Sequence, residues 1–214
     1  MDLISVQLLF QQGMFEIPNY QRGYAWGKKQ IEDLIEDLEY AQKITVKHHY
    51  TGSITLLPQK DDKGQDVVKV IFPKRFKVFE VVDGQQRLTT LSIFIFCIYN
   101  RLKKLGLTED KLNDILKNII YDDTPILELN NDCNDFYREY ILQGSIENLP
   151  KDTSTLSNKS QMNLADAKKQ ITRYLDTIAK INLVQELYIT LVNKFKLNFD
   201  ILDDDCEVGT CILF

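Results

Sequence analysis

The chain has 214 residues, of which 44% are hydrophobic and 27% charged, values typical of a globular protein with a buried core. At about 150 residues per domain, this length corresponds to one domain or two small ones. A net charge of −5 excludes a protein that grips nucleic acid mainly through bulk positive charge, although a local basic patch remains compatible with it. The sequence shows no long apolar span, no secretory signal and no C-x-x-C spacing, which predicts a cytoplasmic protein with free thiols and no membrane partner.

In the first half of the chain, the pattern of apolar residues predicts a small sheet set among helices. Residues 1–15 are expected to form a short helix or turn. Residues 28–44 are expected to form an amphipathic helix, because apolar residues recur there at three- and four-residue steps. Three runs rich in β-forming residues follow, separated by turn residues: 51–57, 67–72 and 76–82. These runs predict an antiparallel meander whose last strand leads into a long helix ending near Lys104.

After Gly106 the pattern changes to helices with short strands. We therefore predict an α+β fold in two parts, residues 1–105 and a mainly helical region over 106–214. Predicted helices cover 108–118, 132–143, 162–182 and 184–194, and predicted strands cover 126–129 and 196–202. The polar, aperiodic stretch 144–161 predicts a loop. The apolar ending at Phe214 suggests a longer parent protein, since chain ends usually lie at the surface.

The segment 81–91 carries the strongest chemical signal. It comprises a strand, an Asp83-Gly84 turn and a helix whose first turn is polar. One interpretation is structural: Asp83 caps the helix, and Gln86 three residues later completes a capping box. Arg87 favours another interpretation, because the helix dipole disfavours a cation in the first turn by about 0.3–1 kcal/mol. A bound anion explains the arginine better.

The same junction has the features of a phosphate-binding cradle. Gly84 lacks a side chain that would block the backbone N–H groups at the helix start, and Arg87 adds a positive charge. Gln85 and Gln86 supply uncharged hydrogen-bond donors. Asp83 can hold Mg²⁺ or orient a water molecule instead of capping the helix.

A second cluster of chemically informative residues lies within the segment 17–26. It contains three aromatic residues, a glutamine and an arginine: Tyr20, Gln21, Arg22, Tyr24 and Trp26. The structural interpretation is a loop whose aromatic residues staple the next helix to the sheet. The chemical interpretation is base stacking beside phosphate binding, since aromatic faces stack on bases and arginine binds phosphate. Composition alone leaves both interpretations open.

Three segments occur in a fixed order along the chain. They are Ile17-Pro-Asn-Tyr-Gln-Arg-Gly-Tyr-Ala-Trp26, His49-Tyr-Thr-Gly-Ser-Ile54 and Val82-Asp-Gly-Gln-Gln-Arg-Leu-Thr-Thr-Leu91. In residues and in order they resemble the N-terminal domain of GmrSD-type restriction enzymes, a domain that also occurs in SspE-like and BrxU-like phage-defence proteins. The ending Cys211-Ile-Leu-Phe214 resembles the start of the family's Phe-x-x-x-Asn-x-x-Gly motif.

The resemblance implies a ParB/sulfiredoxin-like fold over 1–105 that binds and hydrolyses nucleoside triphosphates with Mg²⁺. In such proteins hydrolysis gates DNA cleavage by a separate C-terminal nuclease, so the implied partners are a nucleoside triphosphate, DNA and a nuclease domain or subunit. The family's Asp-Gly-Gln-Gln-Arg motif corresponds to residues 83–87 of this chain. The Gln-Arg pair of the first motif corresponds to Gln21 and Arg22.

The resemblance also implies roles for residues outside the phosphate cradle. Family members commonly sense modified DNA, and in the SspE-like branch the tyrosine-bearing first motif is implicated. This makes Tyr20, Tyr24 and Trp26 candidate contacts for DNA or the nucleotide base. His49 in the second motif is a candidate nucleotide contact, with core packing as its alternative.

Two other features are weighed as functional sites. Lys69, Lys74, Arg75 and Lys77 in the predicted meander, with Lys43 and Lys47 earlier in the chain, form a basic region. Some of these side chains can meet DNA, but a solvated strand and turn surface is the more usual explanation. The run 203–205 of three aspartates suggests metal binding, but a charged turn after a strand is the more usual explanation.

The leading hypothesis is a nucleoside triphosphatase domain of a restriction-type defence protein. Arg87 and the backbone of 84–86 hold the phosphates, and Arg22 neutralises charge on the transferred phosphoryl group. Gln21 or Gln86 positions water, and Asp83 serves Mg²⁺ or the water. The alternative is a non-catalytic, ParB-like DNA-recognition module in which the same motif grips a backbone phosphate. A third interpretation is a fragment whose site needs a missing C-terminal part.

Overall fold

The computed structural model describes residues 2–44, 47–144, 146–156 and 158–202. Its strands are β1 (Asp2–Ser5), β2 (Met14–Glu16), β3 (His49–Pro58), β4 (Val68–Ile71), β5 (Lys74–Asp83), β6 (Ile120–Tyr121), β7 (Thr124–Pro125), β8 (Leu127–Glu128) and β9 (Phe195–Ile201). Its α-helices are α1 (Val6–Phe10), α2 (Lys28–Lys43), α3 (Gln85–Lys104), α4 (Glu109–Leu116), α5 (Asn131–Phe136), α6 (Lys159–Asp176) and α7 (Ile181–Ile189). Two π-helical segments, Tyr137–Leu142 and Thr190–Lys194, continue α5 and α7.

The main sheet has seven strands of mixed direction, which confirms the α+β class. Its order is β1-β9-β3-β5-β2-β8, and β4 pairs with β5 outside this path. Strands β9 and β3 are parallel, as are β2 with both β5 and β8, while the β3–β5 and β1–β9 pairs are antiparallel. The ParB/sulfiredoxin-like assignment stays a prediction. The division of the chain at residue 105 also stays a prediction. The main sheet contains strands from both sides of that residue.

The strand order predicted for the meander is wrong in one respect. The turn at 61–64 is present, because the Asp61 carboxylate accepts hydrogen bonds from the backbone N–H groups of Lys63 and Gln65, each at 2.9 Å. However, β3 pairs with the second half of β5, and β4 pairs with its first half. The ten-residue β5 is long enough for both partners. Its buried second half requires neighbours on both edges, which β3 and β2 supply.

The N-terminal segment also differs from its prediction. The sequence predicts a short helix or turn over 1–15. The short helix is confirmed as α1, but strands β1 and β2, which the sequence pattern does not predict, flank it. The Ser5 hydroxyl caps α1 by accepting a hydrogen bond from the Leu8 backbone N–H at 3.3 Å. Pairing of β1 with β9 and of β2 with β5 overrides a local pattern too short to separate helix from strand.

The long helix α3 is the centre of the core. It begins one residue after Gly84 and ends at Lys104, as predicted, but it is buried on nearly every face rather than along one stripe. From Leu88 to Ile98 every residue is buried, because α3 packs against α4, α6 and α7. The residues of this buried stretch are mostly apolar, with Thr89, Thr90 and Ser92 as exceptions, and this burial fixes the position of the first turn of the helix.

The later elements follow the sequence pattern closely. The predicted strand 196–202 is confirmed as β9, and the helix predicted from Thr108 is confirmed as α4. Predicted helix bounds shift most at α6, which starts at Lys159 and ends at Asp176 rather than covering 162–182. The aspartates at 203–205 and the residues up to Phe214 lie outside the described residues. Within the described ranges, no helix meets the length and hydropathy needed to cross a membrane.

A buried lysine joins α6 to the π-helical segment. Lys168 is 1% exposed, and its ammonium donates hydrogen bonds to the carbonyl oxygens of Tyr140, Ile141 and Gly144 at 2.6, 2.9 and 2.6 Å. It also lies 5.2 Å from the centre of the Phe96 ring. Burial lowers the pKa of Lys168 to about 8. The charge is nevertheless placed where helix carbonyl groups need donors, since the last turn of a helix leaves them unpaired.

Replacing Lys168 with methionine tests this role. Lys168→Met leaves three buried carbonyl oxygens without their donor, so we expect the free energy of unfolding to fall by about 3 kcal/mol. Lys159→Met, at an exposed position of the same helix, is the control and is expected to change it by about 0.5 kcal/mol or less. Urea unfolding measures both. Equal stabilities for the two variants would contradict this role.

Candidate functional site

The structure brings the first and third sequence motifs together at the junction between β5 and α3. A cleft of about 260 Å³ opens there, between this junction and the aromatic loop, defined as residues 17–27. The residues lining the cleft are Gln21, Arg22, Trp26, Asp83, Gly84, Gln85, Gln86 and Arg87. The sequence predicts catalytic or nucleotide-binding roles for seven of these eight, and a base contact for Trp26.

Gly84, not Asp83, occupies the helix-capping position. Its φ of +87° is in the left-handed region, and α3 has no side-chain cap. Asp83 is the last residue of β5, paired with Thr55, and its side chain is exposed. The capping interpretation of Asp83 is therefore wrong, because the left-handed turn separates it from the helix. A Cβ at Gly84 would lie 2.6 Å from the Ser53 carbonyl oxygen, so the junction also requires glycine for space.

Two glutamine amides bind the aromatic loop to the β5–α3 junction. Gln86 accepts a hydrogen bond from the Ala25 backbone N–H at 2.7 Å and donates one to the Gly23 carbonyl at 3.2 Å. In the opposite direction, Gln21 donates to the carbonyl oxygens of Val81 and Val82 at 2.6 and 2.9 Å. We call this arrangement the glutamine clamp. The predicted capping box is wrong for Gln86 also, since its amide is committed to the loop.

The clamp distinguishes the two glutamines chemically. Both ends of the buried Gln86 amide are bonded to the loop backbone, which makes it a positioning residue. Gln21 uses only its NH₂ group, because two carbonyl acceptors require the donor end of the amide. No hydrogen bond to the Gln21 side-chain oxygen is found among the described residues. That oxygen can accept a hydrogen bond from a molecule in the cleft.

Arg87 lies in the first turn of α3, as predicted, with its guanidinium packed over the Trp26 ring at 5.9 Å. It donates one hydrogen bond, to the Ser53 carbonyl at 3.4 Å, and the described residues form no ion pair with it. Burial lowers the pKa of Arg87, while the nearby Asp83 and Tyr50 act in the opposite direction. Arginine nevertheless remains charged near neutral pH, so the cleft contains a half-buried cation that forms no ion pair with the described residues.

A glycine in the second motif makes room for this guanidinium. Gly52 lies in β3 at an irregularity in its pairing with β9, with a φ of +113°. A Cβ there would lie 2.4 Å from the Arg87 Cζ. Of this motif, only His49 is a candidate from the sequence and Gly52 is not, although an isolated glycine within a strand pattern indicates a bulge or a close approach.

The remaining polar groups of the cleft are accessible. Arg22 and Asp83 are not buried, and Gln85 is half-buried. No acidic residue lies in the first turn of α3, so the helix dipole, Arg22 and Arg87 together give the cleft positive character. Among the described residues, no three His, Cys, Asp or Glu side chains come together as a metal site. A single carboxylate at Asp83 fits a magnesium ion that takes its other ligands from phosphate and water.

The three aromatic residues of the loop have different environments. Trp26 lines the cleft, whereas Tyr24 is 4% exposed and its hydroxyl forms a hydrogen bond with the Thr90 hydroxyl at 2.8 Å. Tyr24 thus has the stapling role weighed above, and its ring cannot stack on a base without leaving the core. Tyr20 is 67% exposed and lines a second cavity, of about 370 Å³, with its hydroxyl 3.5 Å from the Glu80 carboxylate.

His49 is not among the residues that line the cleft. Its ring packs 5.0 Å from that of Phe195, and its Nε2 lies 3.4 Å from the Asp37 carboxylate. These contacts correspond to the packing alternative for this residue. Nucleotide contact by His49 stays a prediction that nothing in the cleft geometry supports.

The clamp can be tested with the single tryptophan of the chain as a reporter. Gln86→Ala removes both bonds to the aromatic loop, so we expect Trp26 to become more accessible to acrylamide quenching, by about twofold or more. Gln85→Ala, a neighbouring change in the same cleft, is the control and is expected to leave quenching unchanged. Equal quenching in both variants would show that the loop is held by other contacts.

Comparison with known proteins identifies the domain. No curated protein matches the chain. A family of known domains does match: the GmrSD restriction endonuclease, N-terminal domain family, over residues 6–208. The match includes all three motifs and every element from α1 to β9. The chain therefore belongs to the family of GmrSD restriction endonuclease N-terminal domains.

Proposed function

We propose that the cleft at the β5–α3 junction binds and hydrolyses a nucleoside triphosphate. Family membership supports a role in restriction and phage defence. The observation that carries the finer proposal is the half-buried Arg87, which has no ion-pair partner among the described residues and lies beside the open start of α3. A half-buried cation next to unpaired N–H groups favours a bound anion, and the cleft has room for phosphates.

Different groups of the cleft make different contacts with the nucleotide. The N–H groups of Gln85, Gln86 and Arg87 lie in the first turn of α3, where a helix offers no carbonyl partners, so they are available as donors to phosphate. The Arg87 guanidinium supplies a fixed positive charge. Arg22, accessible on the clamped loop, neutralises charge that develops on the transferred phosphoryl group. Trp26 lies beside Arg87 and offers a face for the nucleotide base.

In this proposal, Gln21 and Asp83 act on the water molecule that attacks the phosphoryl group. The Gln21 side-chain oxygen is available to align an attacking water, whereas Gln86 acts through the loop that it positions. Asp83 would hold Mg²⁺ together with the phosphates. The ion would supply charge neutralisation on the phosphate oxygens.

Hydrolysis at this cleft gates DNA cleavage in our proposal. We assign the nuclease to a further domain or subunit, because the matched family is an N-terminal domain of restriction endonucleases. The expected partners are thus a nucleoside triphosphate, DNA and that nuclease. Tyr20, exposed beside the second cavity, remains a candidate DNA contact.

Substitution of Arg87 is the direct test. Arg87→Ala removes the half-buried cation of the cleft wall, so we expect phosphate release to fall by about 100-fold to 1000-fold. Arg87→Lys keeps the charge without the planar fork and is expected to retain part of the rate. Thermal unfolding should show that both variants fold. Wild-type turnover in Arg87→Ala would refute the assignment.

Ligand-induced stabilisation separates this proposal from its alternative. A nucleoside triphosphate with Mg²⁺ is expected to raise the Tm of the wild type but not of Arg87→Ala. Stabilisation by DNA alone, without turnover, would instead favour a module that grips backbone phosphates. If the chain binds nucleotide without hydrolysing it, the same assay on the full-length parent tests whether the site needs a further segment.

Gly52 offers a test in which no residue that lines the cleft is substituted. Gly52→Ala introduces a Cβ against the guanidinium, so we expect Arg87 to be displaced and phosphate release to fall by about 100-fold. Gly64→Ala is a matched control, because Gly64 also has a positive φ but a Cβ there would meet no atom within 4 Å. Both variants should lose about 1 kcal/mol of stability to backbone strain. Equal activities in the two variants would contradict the role of the Gly52 contact.

A further inference from the structure

The β4–β5 hairpin presents an unusual outer face. Residues 68–77 form a two-stranded ribbon in which β4 pairs only with β5 among the described strands. Val68 is opposite Lys77, and Val70 is opposite Arg75, so these four side chains share one face. Val68 and Val70 are 43% and 60% exposed.

The tip of the hairpin carries the most exposed large apolar side chain among the described residues. Phe72 lies in the turn between β4 and β5 and is 87% exposed. The opposite face is covered: Phe76 packs edge-on against Tyr121 at 5.2 Å. With one face partly covered and an apolar side chain exposed at its tip, the ribbon has its other face available to a partner.

Charge around the hairpin is opposite to that of the whole chain. Residues 59–77 contain six basic and three acidic side chains, a net charge of +3 in a chain of −5. Three of the basic side chains on the hairpin have partners: Lys69 with Glu128 at 2.7 Å, Lys77 with Asp66 at 2.7 Å, and Lys74 over the Tyr121 ring at 4.8 Å.

Arg75 is different from these three lysines. It is exposed, opposite Val70, and the described residues form no hydrogen bond or ion pair with its guanidinium. An unpaired arginine beside an exposed aromatic tip matches two requirements of a nucleic-acid contact. Arginine binds a backbone phosphate, and an apolar wedge inserts between or packs against bases.

We infer that the β4–β5 hairpin is a docking surface for duplex DNA, with Arg75 on a backbone phosphate and Phe72 against the bases. A two-stranded ribbon is narrow enough to enter a DNA groove. The local charge of +3 complements a polyanion and repels basic protein surfaces. This surface is separate from the proposed nucleotide cleft, because none of the hairpin residues lines that cleft.

Fluorescence anisotropy with a labelled duplex of about two helical turns tests the phosphate contact. Arg75→Ala is expected to weaken binding and to reduce the slope of log affinity against log salt by about 1, between about 50 and 200 mM salt. Lys111→Ala, an exposed lysine on α4, is the control and is expected to keep both affinity and slope. An unchanged affinity and slope in Arg75→Ala would overturn the inference.

The aromatic contact predicts a different signature. Phe72→Ala is expected to weaken DNA binding about tenfold with the salt slope unchanged, because it removes base packing and no charge. Tyr40→Ala, which truncates an aromatic residue that is 59% exposed on α2, is the matched control. Since both side chains are exposed, folding should be retained and is checked by thermal unfolding. A DNA affinity equal to that of the wild type in Phe72→Ala would refute the contact between Phe72 and the bases.

Two further measurements decide between partners and keep this inference distinct from the proposed function. The assignment to DNA would be overturned if Phe72→Ala left DNA affinity unchanged and instead abolished binding to anionic phospholipid vesicles or dissociated a dimer.

Basal phosphate release is expected to be unchanged in Arg75→Ala and Phe72→Ala. Conversely, Arg87→Ala is expected to retain DNA binding. Loss of DNA binding in Arg87→Ala with none in Arg75→Ala would place the DNA contact in the cleft instead.

Discussion

The glutamine clamp is the interaction on which the candidate site depends. An amide side chain carries a donor and an acceptor, so Gln86 satisfies two backbone groups of the aromatic loop while Gln21 satisfies two carbonyl groups of β5. Each bond contributes only about 1 kcal/mol, but leaving buried partners unpaired costs more. Because the clamp works in both directions, the loop that carries Arg22 and Trp26 is fixed relative to Arg87. The cleft exists only while these two segments stay together.

An acidic protein can bind polyanions if its cations are placed selectively. Several lysines here are neutralised by carboxylates, such as Lys69 by Glu128 and Lys77 by Asp66. The two arginines of interest differ from these lysines, because neither Arg87 in the cleft nor Arg75 on the hairpin forms an ion pair with the described residues. Arginine keeps its charge in half-buried positions and binds phosphate through a planar fork. A net charge of −5 is therefore compatible with two separate anion-binding surfaces.

Much of the fold and most of the cleft could be predicted from the sequence, because those features are local. The periodicities of α2, α3 and β9 identified these elements, and the motif spacing placed residues 83–87 at a strand–helix junction. The errors arose where tertiary contacts decide. The partner of β3 depends on which half of β5 is buried, which no local pattern shows.

The errors within the site have the same origin. Asp83 and Gln86 have the spacing of a capping box. However, the left-handed turn at Gly84 separates Asp83 from the helix, and the Gln86 amide forms its hydrogen bonds with the aromatic loop. Gly52 was missed because its partner Arg87 is distant in sequence. In each case the local sequence indicates a conformation or contact correctly as a tendency. A contact between residues that are distant in sequence then decides the outcome.

The position of β9 in the sheet governs the order in which this domain can assemble. Its residues 195–201 lie between β1, at the start of the chain, and β3. During synthesis both neighbouring strands have an unpaired edge until almost the whole domain has left the ribosome, and closing so long a loop slows folding. The irregularity at Gly52 is in the pairing of β3 with β9. The β3 backbone around Gly52, which leaves space for the Arg87 guanidinium, therefore gains its β9 partner only after residues 195–201 have been synthesised.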